Sequence, residues 1–369
     1  MATLRRPMRL VVFLPNWVGD VVMATPALRA LRKLVGAGEL ISVMRPSVAD
    51  VLAGTRWLDD TILYAKPSKK RGSDAHDVPA RLQWPAVRER LRAAQLDAAV
   101  LLTNSFSTAW MAYASGIPQR IGMAANLRTP LLTTKVYRSR RRGRHFHLPT
   151  ISGYLQVAQA AGAGPESPAM ELSTTVADEQ AADAVWNRWG LSHDSDVAVL
   201  NTGGAFGAAK DWPAANFAAL ARRLADERDM DVVINCGPAE RDAAREISAL
   251  AGHPRVVSLA DEPELPLGLT KAVIRRARLL VSTDSGPRFF GVAFGVPTVT
   301  LFGPTSTELT RTFATHETSV SLGLKCQPCM ARTCPLKHHR CMRDLSVERV
   351  WAAVDGAVPA PTGLPRLLR

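Results

Sequence analysis

Thr283-Asp284-Ser285-Gly286-Pro287-Arg288-Phe289-Phe290-Gly291-Val292-Ala293-Phe294-Gly295-Val296-Pro297-Thr298-Val299-Thr300-Leu301-Phe302-Gly303-Pro304-Thr305 joins a polar turn to a helix and then to an apolar strand. The apolar run at 279–281 reads as a strand, Asp284-Ser285-Gly286-Pro287 as a tight turn that opens a helix, and 298–302 as the next strand. Proline is tolerated just inside a helix because its missing N–H would have no partner there anyway. The N–H groups that remain free point at whatever precedes the helix, so this layout favours a negatively charged ligand.

Working outward, the second half alternates strands at 197–200, 232–235, 256–259, 279–282 and 298–302 with helical periodicity. The first half does the same, with strands at 10–14, 40–44, 61–64 and 98–102 and a helix at 21–35 that places Val21, Leu28, Leu31 and Val35 on one face. Such alternation calls for parallel strands joined by right-handed crossovers. Residues 162–173 are rich in Gly, Pro and small side chains, and a helix at 177–189 follows. The expected organisation is two doubly wound α/β domains, 1–175 and 176–369, with ligand sites at the carboxyl ends of the strands. A chain of 369 residues suits two domains of about 100–200 residues each.

Hydrophobic residues make up 47% of the chain and charged residues 21%, which excludes a mainly disordered protein. The formal charge of +13 points to an anionic partner, whether nucleic acid, a membrane surface or a phosphorylated substrate. Arg5, Arg6 and Arg9 precede the apolar run 10–14 as in a signal peptide, but that run is short and leads straight into Pro15-Asn16-Trp17. It reads as a buried first strand. No apolar stretch reaches the roughly 18 residues of a membrane span, so a cytoplasmic protein is expected.

Asp20 ends the motif Pro15-Asn16-Trp17-Val18-Gly19-Asp20 at the carboxyl end of the first strand, with Gly19 expected to supply a turn. Its carboxylate suits a general base for an acceptor hydroxyl, and equally suits helix capping. The loop 201–213 carries Thr202, Gly203 and Lys210, which fit a diphosphate, although the loop lacks the Gly-Lys-Ser/Thr of a Walker motif and the G-x-G-x-x-G spacing. Glu240, in Gly237-Pro238-Ala239-Glu240, suits ribose hydroxyls or simply the helix dipole. Residues 135–144 hold six basic side chains and no acid, and Lys69, Lys70 and Arg71 form a second cluster. Aromatic interleaving is thin, so acceptor phosphates or an anionic membrane surface fit these runs better than single-stranded nucleic acid, and a solvated loop fits as well. Cys326, Cys329, Cys334 and Cys341 follow a C-x2-C-x4-C-x6-C spacing around His338 and His339, which fits structural zinc or a set of reduced thiols.

Taken together, Pro15 to Asp20, Asn104-Ser105-Phe106, the 203–213 loop, Asp284-Ser285-Gly286-Pro287, Phe302-Gly303-Pro304-Thr305 and Cys-Pro-Leu-x-His-His-Arg-Cys resemble the lipopolysaccharide heptosyltransferases, glycosyltransferase family 9, and within it the heptosyltransferase II group. The resemblance covers nearly the whole chain. It implies a GT-B fold of two facing Rossmann-like domains, the acceptor mainly on the first and the nucleotide sugar on the second. It also implies an inverting transfer of L-glycero-D-manno-heptose from ADP-heptose to the inner core of a lipid A acceptor, with no catalytic cofactor. Asp20 would be the base. Thr202, Gly203, Lys210, Glu240, Asp284, Ser285 and Gly286 would hold the donor. Asn16, Trp17, Asn104 and Ser105, with Arg138 and Arg142 of the basic run, are assigned to the acceptor. The family usually reads Asp-Ser-Gly-Pro-Met-His where this chain has Arg288 and Phe289, so the histidine position is apolar here. Arg288 would either reach the phosphates or sit on the outer face of its helix. A competing class is a nucleic-acid-binding protein that uses the basic runs and cysteine-bound zinc; a nicotinamide dehydrogenase is disfavoured by the missing G-x-G-x-x-G.

Overall fold

Near-continuous apolar runs become parallel strands buried on both faces. The computed structural model describes residues 7–66, 78–137, 140–141, 144–145, 148–191, 195–204 and 206–358. Two units emerge. The first is the chain up to Ser173 together with Glu308–Thr312, and the second is Thr174–Thr307 with the chain from Phe313 onward.

In the first unit, β1 (Arg9–Phe13), β2 (Glu39–Met44), β3 (Asp60–Leu63), β4 (Ala98–Leu101), β5 (Gln119–Met123) and β6 (Thr134–Val136) form one sheet in the order β3-β2-β1-β4-β5-β6. Every pairing is parallel, and Val11 of β1 sits between Ile41 and Ala99. A short antiparallel pair, β7 (Arg140–Arg141) and β8 (Arg144–His145), follows. The second unit repeats the plan with β9 (Val197–Asn201), β10 (Asp231–Asn235), β11 (Val256–Ser258), β12 (Leu279–Thr283), β13 (Thr298–Phe302) and β14 (Glu317–Ser321), ordered β11-β10-β9-β12-β13-β14. Val199 of β9 lies between Val233 and Leu280. The strand order reverses between β1 and β4 and again between β9 and β12, which places a ligand crevice at the carboxyl ends of those strands.

The apolar pattern predicts nine of these strands to within a residue or so. It misses β5, β6, the two-residue β7 and β8, and β14; β14 (Glu-Thr-Ser-Val-Ser) buries only Val320 and shows no apolar run. The single helix expected at 21–35 is two helices, α1 (Val18–Met23) and α2 (Thr25–Val35). Pro26 lacks the N–H that would reach the carbonyl of Val22, and the Thr25 hydroxyl donates to that carbonyl instead at 2.8 Å. Gly19 therefore lies inside α1, and the turn expected of it is absent. α3 (Pro46–Ala49), α4 (Trp84–Ala93), α5 (Phe106–Ala114) and α6 (Thr150–Ala160) complete the first unit, whose core includes Val11, Phe13, Val43, Val87 and Leu101.

The second unit opens with α7 (Val176–Trp189), started by a reciprocal Thr175–Asp178 capping box and ended by Gly190 at φ 63°. α8 (Ala214–Arg228), α9 (Arg241–Ala251), α10 (Leu267–Arg275), α11 (Gly286–Ala293), α12 (Arg340–Arg343) and α13 (Val347–Ala357) cover its sheet. Leu200, Phe217, Leu224, Val281, Leu301, Met342 and Trp351 share one core, and each such side chain contributes about 1.5–3 kcal/mol on burial. Among the described residues no helix is long and apolar enough to cross a membrane.

Candidate functional site

In the second unit, the loops after β9 and β12 meet at the strand-order reversal. A Cβ on Gly204 would lie 2.8 Å from that of Ser285, so only glycine lets the two backbones come this close. Asn201, the last residue of β9, donates to Ser285 Oγ at 2.8 Å and to the carbonyl of Gly203 at 3.1 Å, locking the two turns together. Gly286 and Pro287 open α11 directly after the N-cap Ser285, so the free N–H groups of its first turn start where the Gly204 backbone meets Ser285. The Thr202 hydroxyl is buried and has no hydrogen-bond partner among the described residues. A buried orphan hydroxyl is costly unless a ligand satisfies it.

Lys210 is neither a solvated loop lysine nor a freely projecting cation. Its amine donates to the backbone carbonyl of Asp284, lies 3.4 Å from Asp284 Oδ2, and sits 4.5 Å from the centre of the Phe206 ring. The outer-face position weighed for Arg288 is also overturned. Arg288 is 1% exposed and bridges Asp284 Oδ1 at 2.6 Å to Glu317 Oε1 at 2.5 Å, between the rings of Phe289 and Phe302 at 4.7 Å each. Glu317 also accepts from Thr300 Oγ1 at 2.6 Å. Its partners account for the position: a guanidinium fork matches two carboxylates, and they hold it inside where a lone charge would be expelled. Burial pushes the Asp284 carboxyl up, but Arg288 and Lys210, then Thr305, more than offset this and hold it below the usual value.

Glu240 accepts from the N–H of Gly237 at 2.8 Å, the bland local role, and also lies against Gly203, where a Cβ would come within 3.0 Å of its carboxylate. Thr202, Gly203, Lys210, Glu240, Asp284, Ser285 and Gly286 are thus gathered at one end of one sheet.

In the first unit, Asp20 lies in the first turn of α1 and is half-buried. Trp17 occupies the N-cap position and its side chain makes no capping bond. Asp20 is near Tyr154 of α6, whose phenol is pushed well up by burial first and by the charge of Asp20 second. Asn16, Trp17, Asn104 and Ser105 are exposed at the carboxyl ends of β1 and β4. Ser105 caps α5 by accepting from the N–H of Thr108 at 3.3 Å. Arg138 and Arg142 lie outside the described residues. Asn104, Thr150 and Tyr154 line a cavity of about 150 Å3 together with Leu101, Leu102 and Met123.

One residue here escaped the sequence reading. Arg128 is fully buried and donates to the carbonyls of Met123 at 2.9 Å and of Thr103, and to Asn104 Oδ1 at 3.1 Å. Burial lowers its guanidinium to about 10, so it stays charged at neutral pH. By taking the oxygen of the Asn104 amide, it leaves the Asn104 NH2 group as the donor for other partners. Nothing in Asn126-Leu127-Arg128-Thr129 signals this role, because the partners come from other strand ends.

Cys326, Cys329, Cys334 and Cys341 line one small cavity of about 20 Å3 with His338 and His339. Burial and the three neighbouring thiols push the Cys341 thiol up. Among the described residues, no group of three or more His, Cys, Asp or Glu side chains is placed to hold a metal ion. The expected zinc set therefore shares a cavity without forming a ligand shell.

The model of glycosyltransferase family 9 (heptosyltransferase) matches residues 84–340. The chain belongs to glycosyltransferase family 9. A curated relative, lipopolysaccharide heptosyltransferase 2 of Escherichia coli, is 27% identical over 320 residues, which is 82% of this chain and 85% of that protein. Lipooligosaccharide heptosyltransferase 2 of Campylobacter jejuni is 34% identical over 163 residues, 43% of this chain, and the match spans about half (50%) of that relative's length. Among solved structures, ADP-heptose LPS heptosyltransferase II of E. coli is alike with a TM-score of 0.73 over 95% of this chain and 98% of that one, at 22% identity. This last likeness is one of fold. The two parallel α/β sheets are those of the family's GT-B architecture, as the resemblance implied.

Proposed function

We propose that this member of family 9 is an inverting heptosyltransferase that moves L-glycero-D-manno-heptose from ADP-heptose to an inner-core heptose of lipopolysaccharide. The orphan Thr202 hydroxyl carries the donor half: a buried oxygen without a partner among the described residues, on the loop after β9 that meets the turn opening α11, fits a diphosphate oxygen. Lys210 and the N–H groups of α11 stabilise the charge that develops on departing ADP, and Glu240 takes the ribose hydroxyls. Asp20 removes the proton of the acceptor hydroxyl as its oxygen bonds to the anomeric carbon. The bond from that carbon to ADP breaks, and ADP leaves with the electron pair. No cofactor is needed for these steps. The first unit takes the acceptor and the second the nucleotide sugar. Phe289 is buried and offers no polar atom to the donor, and Arg288 is engaged by Asp284 and Glu317 in place of a donor phosphate.

Nucleotide release measured across a panel of nucleotide sugars with lipid A core acceptors tests the reaction. Asp20→Ala lowers turnover about 10²–10⁴-fold while ADP binding persists. Wild-type turnover in that variant, or release only from a nucleotide other than ADP, removes this reading.

The acceptor is lipid-linked in this scheme, and we assign membrane contact to α5 in a cytoplasmic, peripheral protein. Phe106, Trp110 and Tyr113 share one helical face and are each about half exposed. Arg88 and Arg92 donate to the carbonyl of Ala114 at the end of this helix, and Arg120 lies 5.4 Å from the centre of the Tyr113 ring. Aromatic tips ringed by arginines suit an anionic bilayer surface. Replacing Trp110 and Tyr113 by Ser should cut cosedimentation with phosphatidylglycerol vesicles several-fold; unchanged cosedimentation rejects the assignment. Nucleic acid has no part in this scheme. The four cysteines share a cavity without forming a ligand shell, so a structural zinc would have to draw them together, and metal analysis of the purified protein decides whether it does.

A further inference from the structure

The cysteine segment 326–341 does more than fill space: it grips the loop that carries Lys210 on one edge and the turn after β13 on the other. Ala209 directly precedes Lys210, and both of its backbone polar groups end on this segment. Its N–H donates to the carbonyl of Arg332 at 3.1 Å, and its carbonyl accepts from His339 Nε2 at 2.8 Å. Gly207, at φ 135°, passes so close that a Cβ would lie 2.8 Å from the Arg332 carbonyl. On the other edge, Gln327 Nε2 donates to the carbonyl of Gly303 at 2.7 Å, and the N–H of Met330 to that of Pro304 at 2.8 Å. Cys341, at the far end of the segment, and Met342 just after it are set in the core of the unit. The segment is therefore anchored in the core at one end and bonded to the loop bearing Lys210 and to the turn after β13.

We infer that His339 is a positioning residue for the donor site, acting through Lys210. Lys210 has a long flexible stem whose amine must meet Asp284 and a diphosphate at once, so a free Ala209 carbonyl would let the 208–210 turn drift. The His339 Nε2–H bond removes that freedom. The inference rests on the donor reading given above and extends it to a residue that touches no substrate in that reading.

The test is a double-mutant cycle on the full chain, with ADP affinity measured by calorimetry and KM for the nucleotide sugar measured beside kcat. His339→Ala should weaken ADP binding about tenfold and raise the donor KM to match, with the acceptor KM unchanged. His339→Gln keeps an amide donor near the Nε2 position and should restore affinity to within about threefold. In a Lys210→Ala background, His339→Ala should cost little more, because its effect passes through the lysine. Full ADP affinity in His339→Ala, no rescue by glutamine, or additive losses in the double variant would each overturn the inference. If Lys210→Ala alone leaves ADP binding intact, the donor reading fails as well, and the two failures are told apart.

Discussion

Among the described residues each unit of this protein encloses one fully buried arginine in the same six-strand plan, and the two are partnered in opposite ways. Arg288 in the second unit is met by two carboxylates, Asp284 and Glu317. Arg128 in the first unit has only neutral partners among the described residues, two backbone carbonyls and the Asn104 amide. A shared topology thus fixes where a crevice lies and leaves open how charge is arranged behind it. In the second unit the pairing builds a rigid wall of ions beside the proposed diphosphate site. In the first, the guanidinium orients an amide.

The comparison breaks most clearly at Arg288. Arg288→Met leaves Asp284 and Glu317 buried without that cation, and the expected loss is about 3–5 kcal/mol in urea unfolding. A loss below about 1 kcal/mol would show that the two carboxylates are solvated or protonated and that the ionic wall does not exist.

Arg128→Met is expected to cost less, about 1–3 kcal/mol, because it orphans neutral acceptors only and also removes a charge that was costly to bury. The same variant frees the Asn104 amide to turn, so the acceptor KM should rise several-fold while ADP affinity holds. A cost equal to that of Arg288→Met would mean that a carboxylate reaches Arg128 after all.

The smallest effect separates the two in acid. The Asp284 carboxyl is depressed in the folded protein, so its stabilisation is present above the unfolded value of about 3.9 and is lost as pH falls through the lower folded value. Glu179, held down to about 2 by Arg275, Thr174 and Arg276 in spite of partial burial, loses its contribution over the same range. Unfolding midpoints from pH 5 to pH 2 should therefore fall. Arg288→Met should change the Asp284 part of that fall, and Arg128→Met should leave the whole curve parallel to wild type. A parallel curve for both variants would deny Asp284 its ion pairs.

Much of this was legible in the chain. Alternation of apolar runs such as Leu-Val-Val-Phe at 10–13 with helical periodicity marks a doubly wound protein, and Asp-Ser-Gly-Pro marks a helix start after a strand, because local sterics and burial act on neighbouring residues. Residues that act through long-range partners were not legible. Arg288 reads as a phosphate contact or an outer-face arginine until Glu317, 29 positions away, is seen to close on it. β14 has no apolar run to announce it, and the break at Ala24 needed the Thr25 hydroxyl to take over a carbonyl that Pro26 cannot serve.

By itself, then, the sequence determined two parallel α/β units and a set of polar residues at strand ends, since periodicity and turn chemistry are local properties, while its motifs carried the likeness to a family. Only the tertiary structure decided which charges are paired. It enclosed Arg288 with Asp284 and Glu317, left Arg128 to carbonyls, and bonded the cysteine segment to the loop that carries Lys210. The reason is that burial strengthens an electrostatic contact and penalises an unpaired group at once, so the outcome depends on which distant chain segments come within about 3 Å of each other.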